Sequence, residues 1–245
     1  MAERFLDIPV DPVDNQGAVA AARSAVAGER PPLLVIAINP EKVMKAQHDP
    51  ELRAFIEQAG LRIADGVGIV LASRLRGGTV RSRVTGVDLM LLLVEQAQAE
   101  GWRVFLLGAR PEVNDAAAAE LLRRYPRLVL AGRRDGYFQP EEGEEVAAAI
   151  AQTKSDLLFV ALGSPAQERF LLQWGDRTAT KVRMGVGGSF DVLAGRVPRA
   201  PAVMRHAGLE WLYRLYREPW RLRRMLVLPV FLVRAYLHRF GRTGA

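Results

Sequence analysis

Polar residues that are able to bind or activate a substrate follow short apolar runs of the chain. Asp65 follows the run 61 to 64 and precedes Gly66-Val67-Gly68, and Asn39 follows the run 33 to 38. An aspartate in such a place is able to take a proton from a hydroxyl group as a general base. An asparagine amide hydrogen-bonds sugar hydroxyl groups. These two residues are the first candidates for a substrate site.

Each of these residues also has a simpler interpretation as a helix cap. Aspartate and asparagine are preferred at the N-cap position. In this interpretation Asp65 caps a helix that begins near Gly68, and Asn39 caps one that begins at Pro40, where proline suits the first helical turn. The sequence leaves both interpretations open.

Three further residues lie where a phosphate or a sugar would bind. Arg83 precedes a helix start at Thr85, and an arginine that reaches a crevice binds a diphosphate through two parallel hydrogen bonds, although loop arginines are usually solvated. Gln167 opens a helix after the turn Gly163-Ser164-Pro165, which directs it toward the ligand side. Asp191 follows the glycine cluster 185 to 188 and either orients this loop or binds substrate.

The sequence predicts neither a metal site nor a cofactor. It contains no cysteine and three histidines, which excludes thiolate ligands and argues against a zinc site. No second acidic residue forms a D-x-D pair with Asp191. A Walker A motif is absent, and GVGGSF has phenylalanine where a dinucleotide fingerprint has its last glycine.

Strands and helices that alternate along the chain must position these residues. Apolar runs at 33–39, 61–66, 102–109, 128–132, 156–163 and 182–188 predict strands, and helical patterns include 50–60, 85–100, 111–125 and 140–152. This alternation predicts a Rossmann-like α/β fold, with a mostly parallel sheet covered by helices on both faces. Ligands of such sheets bind beyond the carboxyl ends of the strands, where the candidate residues lie.

The basic charge of the chain is concentrated in its last fifty residues. The net charge is +7, but residues 196–245 contain eleven arginines and two glutamates, so residues 1–195 carry −2. No further strand is expected after residue 195. We therefore predict an α/β catalytic domain at 1–195 and a helical appendage at 196–245, broken near Glu218 because Pro219 disfavours helix there.

The appendage is predicted to meet an anionic membrane surface. Tryptophans and arginines flank the apolar run 225 to 233, a combination typical of interfacial segments. A solvated basic face packed on the core is the alternative. A nucleic-acid partner is not expected, because this apolar run would have no use in a nucleic-acid groove. No secretory signal is apparent, and no apolar run reaches the length of a bilayer span.

The motifs together resemble the WecG/TagA/CpsF family of bacterial glycosyltransferases, and most closely its TagA branch. The matching segments follow one another over almost the whole chain and include ADGVGIVLAS (64–73), RVTGVDLM (83–90), ALGSPAQE (161–168), GVGGSFDVLAGRVPRAP (185–201) and GLEWLYRLYREPWR (208–221). The resemblance implies a metal-independent, inverting transferase that uses a UDP-sugar donor and a polyprenyl-diphosphate-linked acceptor. In the TagA branch these are UDP-N-acetylmannosamine and undecaprenyl-diphosphate N-acetylglucosamine, and the product begins the linkage unit of wall teichoic acid.

The resemblance also implies roles for individual residues. Asp65 matches the catalytic base, and Asn39, Arg83 and Gln167 match positions that hold sugar or phosphate. The arginine-rich segment, considered together with the crevice loops, has a second expected role besides membrane binding: Arg214, Arg221 or Arg224 would fold over the crevice and neutralise the diphosphate of the donor. The protein is expected in the cytoplasm, peripherally on the inner face of the cell membrane. A homo-oligomer is neither required nor excluded.

One position departs from the family pattern. Many TagA-like members have threonine two residues before the asparagine, where this chain has Ala37. If that hydroxyl group is needed, a neighbouring residue replaces it or activity is lost. Two alternatives therefore stay open: a relative that uses UDP-N-acetylmannosaminuronic acid or another UDP-hexose, and a non-catalytic protein that binds a nucleotide sugar or a membrane.

Overall fold

The computed structural model describes residues 1–201, 204, 210–217 and 226–238. Its strands are β1 (Glu3–Phe5), β2 (Ile8–Val10), β3 (Leu33–Ile38), β4 (Leu61–Ala64), β5 (Arg103–Gly108), β6 (Val129–Arg134), β7 (Leu157–Ala161) and β8 (Val182–Gly185). The last six form one parallel sheet in the order β4-β3-β8-β7-β5-β6. The predicted parallel α/β sheet is confirmed.

Helices connect the strands and cover both faces of the sheet. They are α1 (Asn15–Val26), α2 (Pro40–Ala46), α3 (Pro50–Gln58), α4 (Val67–Leu75), α5 (Gly86–Glu100), α6 (Pro111–Arg124), α7 (Gly143–Gln152), α8 (Ala166–Trp174), α9 (Ser189–Leu193), α10 (Glu210–Arg217) and α11 (Val227–His238). Short 3₁₀ turns lie at Pro140–Glu142 and Asp176–Thr178. The predicted helices and strands all correspond to elements of this list.

The sheet separates two apolar cores. In β7, Phe159 belongs to the core under α1, α5, α6 and α9, while its neighbours Leu158 and Val160 belong to the core under α2, α3, α4, α7 and α8. All five residues of β7 are buried, because successive side chains of a strand point to opposite faces and both faces are covered. The unbroken apolar run in the sequence has this physical cause.

An N-terminal hairpin, which the sequence did not predict, holds the loop between α4 and α5. Strands β1 and β2 pair in antiparallel fashion. The Glu3 carboxylate accepts hydrogen bonds from the Ser73 hydroxyl at 2.7 Å and from the main-chain N–H groups of Thr79 at 2.9 Å and Val80 at 3.1 Å. The hairpin therefore fixes the start of the segment that leads to Arg83.

The C-terminal helix α11 packs on the same side of the molecule. It contacts α2 and α4, and Phe231 is fully buried with its ring centroid 6.2 Å from that of Phe5. A Cβ atom on Gly68 would overlap Leu228 and Pro40, so glycine permits this close approach of α11 to α4. A C-terminal helix thus accompanies the α/β sheet, as predicted.

The predicted boundary at residue 195 is followed by a segment that contacts the body. Arg199 donates to Asp88 at 2.6 Å, and Ala200 is buried. The predicted break near Glu218 lies outside the described residues. Across the ranges that the structure describes, no helix combines the length and the apolar character needed to cross a membrane.

Candidate active site

The candidate residues gather at the carboxyl ends of four adjacent strands. Asn39 follows β3, Asp65 follows β4, Gln167 lies at the start of α8 after β7, and Asp191 lies in α9 after β8. These strands are neighbours in the order β4-β3-β8-β7. With about 4.8 Å between neighbouring strands, the four strand ends extend over about 14 Å. The candidate residues therefore lie along one edge of the sheet, where the chain pattern predicts the ligand crevice.

Asp65 is half-buried at the end of β4. Its main-chain N–H donates to the carbonyl oxygen of Ile38 at 2.8 Å, which fixes the backbone beside the end of β3. The N-cap of α4 is Gly66, with φ of 93°, and it makes no side-chain cap hydrogen bond. Gly66, and not Asp65, therefore occupies the N-cap position of α4.

Arg83 is brought to the same edge by a main-chain contact. The N–H of Val84 donates to the carbonyl oxygen of Ala64 at 2.9 Å. Arg83 and Asp65, the chain neighbours of these two residues, are consequently held in adjacent segments, and both side chains are half-buried. A half-buried arginine in this position differs from the solvated loop arginine that was the simpler interpretation.

Asn39 does act as a helix cap. Its side-chain oxygen accepts a hydrogen bond of 2.8 Å from the main-chain N–H of Lys42, and Pro40 occupies the first position of α2. The capping interpretation is confirmed for this residue. Capping uses the amide oxygen, so the amide NH₂ group is the part of the side chain that is suited to donate to a ligand.

Gln167 is buried, with 6% of its surface exposed. Its amide oxygen accepts a hydrogen bond of 3.0 Å from the main-chain N–H of Gly187, and its amide nitrogen lies 3.3 Å from Glu168 Oε1. The side chain lies against Gly185, where a Cβ atom would clash with it. Gln167 therefore ties α8 to the glycine loop after β8.

Lys42 and Glu168 form a buried ion pair that the sequence did not reveal as part of the site. Their Nζ and Oε1 atoms lie 3.0 Å apart, and only 14% and 5% of the two side chains is exposed. The sequence suggested only that a carboxylate suits the first turn of α8 because of the helix dipole. Nothing in the spacing of two residues so far apart in the chain indicates that they pair.

Asp191 and Ala37 lie beside this edge. Asp191 is half-buried in α9, and its main-chain oxygen accepts hydrogen bonds from the N–H groups of Arg196 at 2.9 Å and Val197 at 3.2 Å. Ala37 is half-buried in β3, 3.9 Å from the place of a Cβ atom on Gly86.

The three tail arginines are not placed by the structure. Arg214 lies on α10, but its side chain, Arg221 and Arg224 fall outside the described residues.

A cavity of about 520 Å³ opens at the other half of the sheet edge, beyond β5, β6 and β7. Phe138 and Phe170 form part of its wall, with ring centroids 6.0 Å apart in an edge-to-face arrangement. Tyr137 is 71% exposed at the same cavity, and Arg110 and Arg169, which pair with Glu112 at 3.6 Å and Glu51 at 3.1 Å, also line it. Among the described residues no three histidine or acidic side chains cluster as metal ligands would.

In parallel α/β sheets the carboxyl edge is where ligands bind, and here it carries a carboxylate, an amide and a guanidinium group with a cavity beside them. Residues 3–245 match the model of the Glycosyl transferase WecG/TagA/CpsF family. The chain belongs to this family, and the protein is a glycosyltransferase.

Two curated relatives agree with this assignment. An N-acetylglucosaminyldiphosphoundecaprenol N-acetyl-beta-D-mannosaminyltransferase of Bacillus subtilis (strain 168) is 37% identical over 198 residues, which is 81% of this chain and 77% of the relative. A protein of the same name from Bacillus spizizenii (strain ATCC 23059 / NRRL B-14472 / W23) is 37% identical over 204 residues, 83% of this chain and 79% of the relative.

Proposed function

We propose that the protein transfers N-acetylmannosamine from UDP-N-acetylmannosamine to undecaprenyl-diphosphate N-acetylglucosamine, without a metal ion and with inversion at the anomeric carbon. This step would begin the linkage unit of wall teichoic acid. The names of the two relatives support the sugar and the acceptor. The observation that carries the proposal is the position of Asp65 at the carboxyl end of β4, directly before the N-cap residue Gly66 of α4.

In the proposed reaction Asp65 is the general base. Its carboxylate takes the proton of the acceptor hydroxyl group while the acceptor oxygen bonds to the anomeric carbon of the donor. The bond from that carbon to the diphosphate oxygen breaks, and UDP leaves with the electron pair. Arg83, held beside Asp65 through the bond between Val84 and Ala64, stabilises the negative charge that develops on the diphosphate.

The cavity beyond β5, β6 and β7 supports a nucleotide-sugar donor. Its volume of about 520 Å³ lies in the range of small-molecule sites, and its wall combines aromatic rings with Arg110 and Arg169. Asp65 lies after β4, at the opposite end of the crevice. A donor whose nucleoside occupies the cavity would extend along the strand ends and direct its sugar toward Asp65.

The proposed peripheral association with an anionic membrane is supported by α11. Positions 226, 230, 233 and 237 are spaced for one helical face, and Leu226, Val230, Val233 and Leu237 are exposed to 61%, 46%, 59% and 60%. The opposite face of α11 is buried through Phe231 and Ala235. An exposed apolar stripe beside arginine-rich segments fits the interface between headgroups and acyl chains.

The same appendage is proposed to bind the donor: Arg214, Arg221 and Arg224 would contact its diphosphate.

The test of the proposed function is release of UDP from UDP-N-acetylmannosamine in the presence of a GlcNAc-diphosphate lipid, with and without EDTA. Product formation that is unaffected by EDTA would support it. Turnover only with UDP-N-acetylmannosaminuronic acid or another UDP-hexose would instead identify a different donor.

The alternative of a non-catalytic binding protein does not stand, because the chain belongs to a family of glycosyltransferases.

A further inference from the structure

A buried carboxylate without its full set of hydrogen bonds lies beneath the candidate site. Glu168 is 4% exposed. Its Oε1 atom accepts from Lys42 Nζ at 3.0 Å and from Gln167 Nε2 at 3.3 Å. Its Oε2 atom is buried and has no hydrogen-bond partner among the residues that the structure describes.

This arrangement is poorly suited to stabilise the fold. Burying two charged groups loses their hydration free energy, and one ion-pair contact does not offset this loss unless the remaining lone pairs also accept hydrogen bonds. An apolar pair of similar volume often stabilises a protein equally well. Apart from Lys42 and Gln167, apolar residues are near: Phe55 and Leu171 line the same small void as Glu168. A role other than stability is therefore indicated for the charge.

The charge of Glu168 determines how the neighbouring amide is oriented. A carboxylate only accepts hydrogen bonds, so it selects the NH₂ end of the Gln167 side chain. The amide oxygen of Gln167 must then point the other way, and it accepts the main-chain N–H of Gly187 at 3.0 Å. A neutral amide in place of Glu168 would no longer distinguish the two ends of Gln167.

The same carboxylate also holds the start of α2. Lys42 is bound through its ammonium group to Glu168 and through its main-chain N–H to the Asn39 side chain at 2.8 Å. One buried group thus connects two segments of the crevice that come from different strands, the N-terminus of α2 after β3 and the glycine loop after β8.

We propose that Glu168 is a positioning residue of the transfer reaction. It fixes the glycine loop through Gln167 and the Asn39 side chain through Lys42. The proposal rests on the proposed function, because it assumes that these segments bind the substrates. In this proposal the main role of Gln167 is to hold the glycine loop after β8 through its hydrogen bond to Gly187.

The test uses the full chain with three changes: Glu168→Gln, Lys42→Met, and the double change Lys42→Met with Glu168→Leu. We expect Glu168→Gln to lower kcat by about tenfold to a hundredfold, the size of effect that small misplacements of reacting groups produce. We expect the double variant to unfold at a temperature close to that of the unmodified protein, because an apolar pair replaces the charges, but to remain as slow as Glu168→Gln. Recovery of kcat together with stability in the double variant would overturn the proposal.

A half-buried ion pair away from the candidate site provides the control. Arg62 Nε lies 3.0 Å from Asp11 Oδ2, and the two side chains are 17% and 18% exposed. Asp11→Asn should lower the unfolding temperature without lowering kcat.

Amide hydrogen exchange of Gly187 provides a readout that does not depend on activity. Glu168→Gln should accelerate its exchange, while Asp11→Asn should not. Unchanged exchange would overturn the proposal even if the donor proved to be a different sugar, whereas accelerated exchange in a protein without turnover would indicate that the proposed function, and not the positioning link, is wrong.

Discussion

The main-chain N–H of Val84 donates a hydrogen bond of 2.9 Å to the carbonyl oxygen of Ala64. This bond holds the loop that contains Arg83 against the strand end that precedes Asp65. Glu3 of the N-terminal hairpin fixes the beginning of the same loop at Val80. An acidic and a basic residue from separate segments are thereby kept at one edge of the sheet, which is the arrangement on which the proposed reaction depends.

Substitution of the proposed base should remove catalysis but not donor binding. Asp65→Asn keeps the shape of the side chain and abolishes its basicity, so we expect kcat to fall by about 10²–10⁴. UDP release measures turnover, and titration with UDP measures donor binding. Glu95→Gln, an exposed position on α5, is the control and should keep full activity. An unchanged kcat in Asp65→Asn would remove this residue as the base.

Two changes at Asn39 should separate its capping role from its proposed binding role. Asn39→Asp keeps an oxygen for the Lys42 N–H, so stability should change little, while the loss of the amide NH₂ group should weaken transfer. Asn39→Ala should also destabilise the protein by about 1 kcal/mol, which chemical denaturation measures. Asp49→Ala removes the equivalent cap of α3 and should lower stability without lowering activity. Full activity of Asn39→Asp would show that the residue only caps α2.

Replacing Arg83 by lysine, which keeps the positive charge, should still weaken transfer. Lysine cannot form two parallel hydrogen bonds with a diphosphate, so Arg83→Lys should lower kcat/KM for the donor by about tenfold, equivalent to about 1.4 kcal/mol. Steady-state kinetics with varied donor concentration test this. Arg74→Lys, at an exposed position on α4, should behave as the unmodified protein. Equal kinetic constants in Arg83→Lys and Arg74→Lys would exclude a bidentate contact.

Docking of α11 should contribute strongly to stability. Phe231 is fully buried against Phe5, so Phe231→Ala should lower the free energy of unfolding by about 3–5 kcal/mol. Denaturant unfolding of the full chain measures this loss. Leu237→Ala lies on the exposed face of the same helix and should change stability by less than about 0.5 kcal/mol. Similar losses in both variants would contradict the packing described for α11.

Charge on the exposed stripe of α11 should weaken membrane association. The double change Val230→Glu with Val233→Glu places two carboxylates where apolar side chains would enter the interface, so the bound fraction should fall about tenfold or more. Flotation with anionic liposomes measures binding. Leu122→Glu, an exposed leucine on α6, is the matched control and should float normally. Equal flotation of all three proteins would place the membrane contact elsewhere.

Asp65 and Asn39 have the same pattern in the sequence but different places in the structure. Both follow a strand, and the sequence predicts for both either a helix cap or a contact with substrate. In the structure Asn39 caps α2, while Gly66 occupies the corresponding position before α4. The sequence could not separate the two cases, because the choice depends on the φ angle at Gly66 and on how α4 leaves the sheet.

Gln167 and Glu168 show the same limit at longer range. Their position at the start of α8 followed from the chain pattern, but Lys42 and Gly187, their partners, come from segments that the pattern does not connect. A buried ion pair has no local signature, since each charged residue by itself resembles an ordinary surface residue of a helix.

The sequence by itself determined the six strands of the parallel sheet, the helices that follow them and the loops between them, although not the N-terminal hairpin. A strand that is buried on both faces must be apolar along its whole length, and a helix has an apolar residue at every third or fourth position of its buried side. The burial of each element is therefore visible in the sequence as a periodic pattern. Only the tertiary structure decided the order β4-β3-β8-β7-β5-β6, the support of Arg83 by the hairpin and the pair of Lys42 with Glu168. These features depend on which elements pack side by side, and packing between distant segments leaves no period in the sequence.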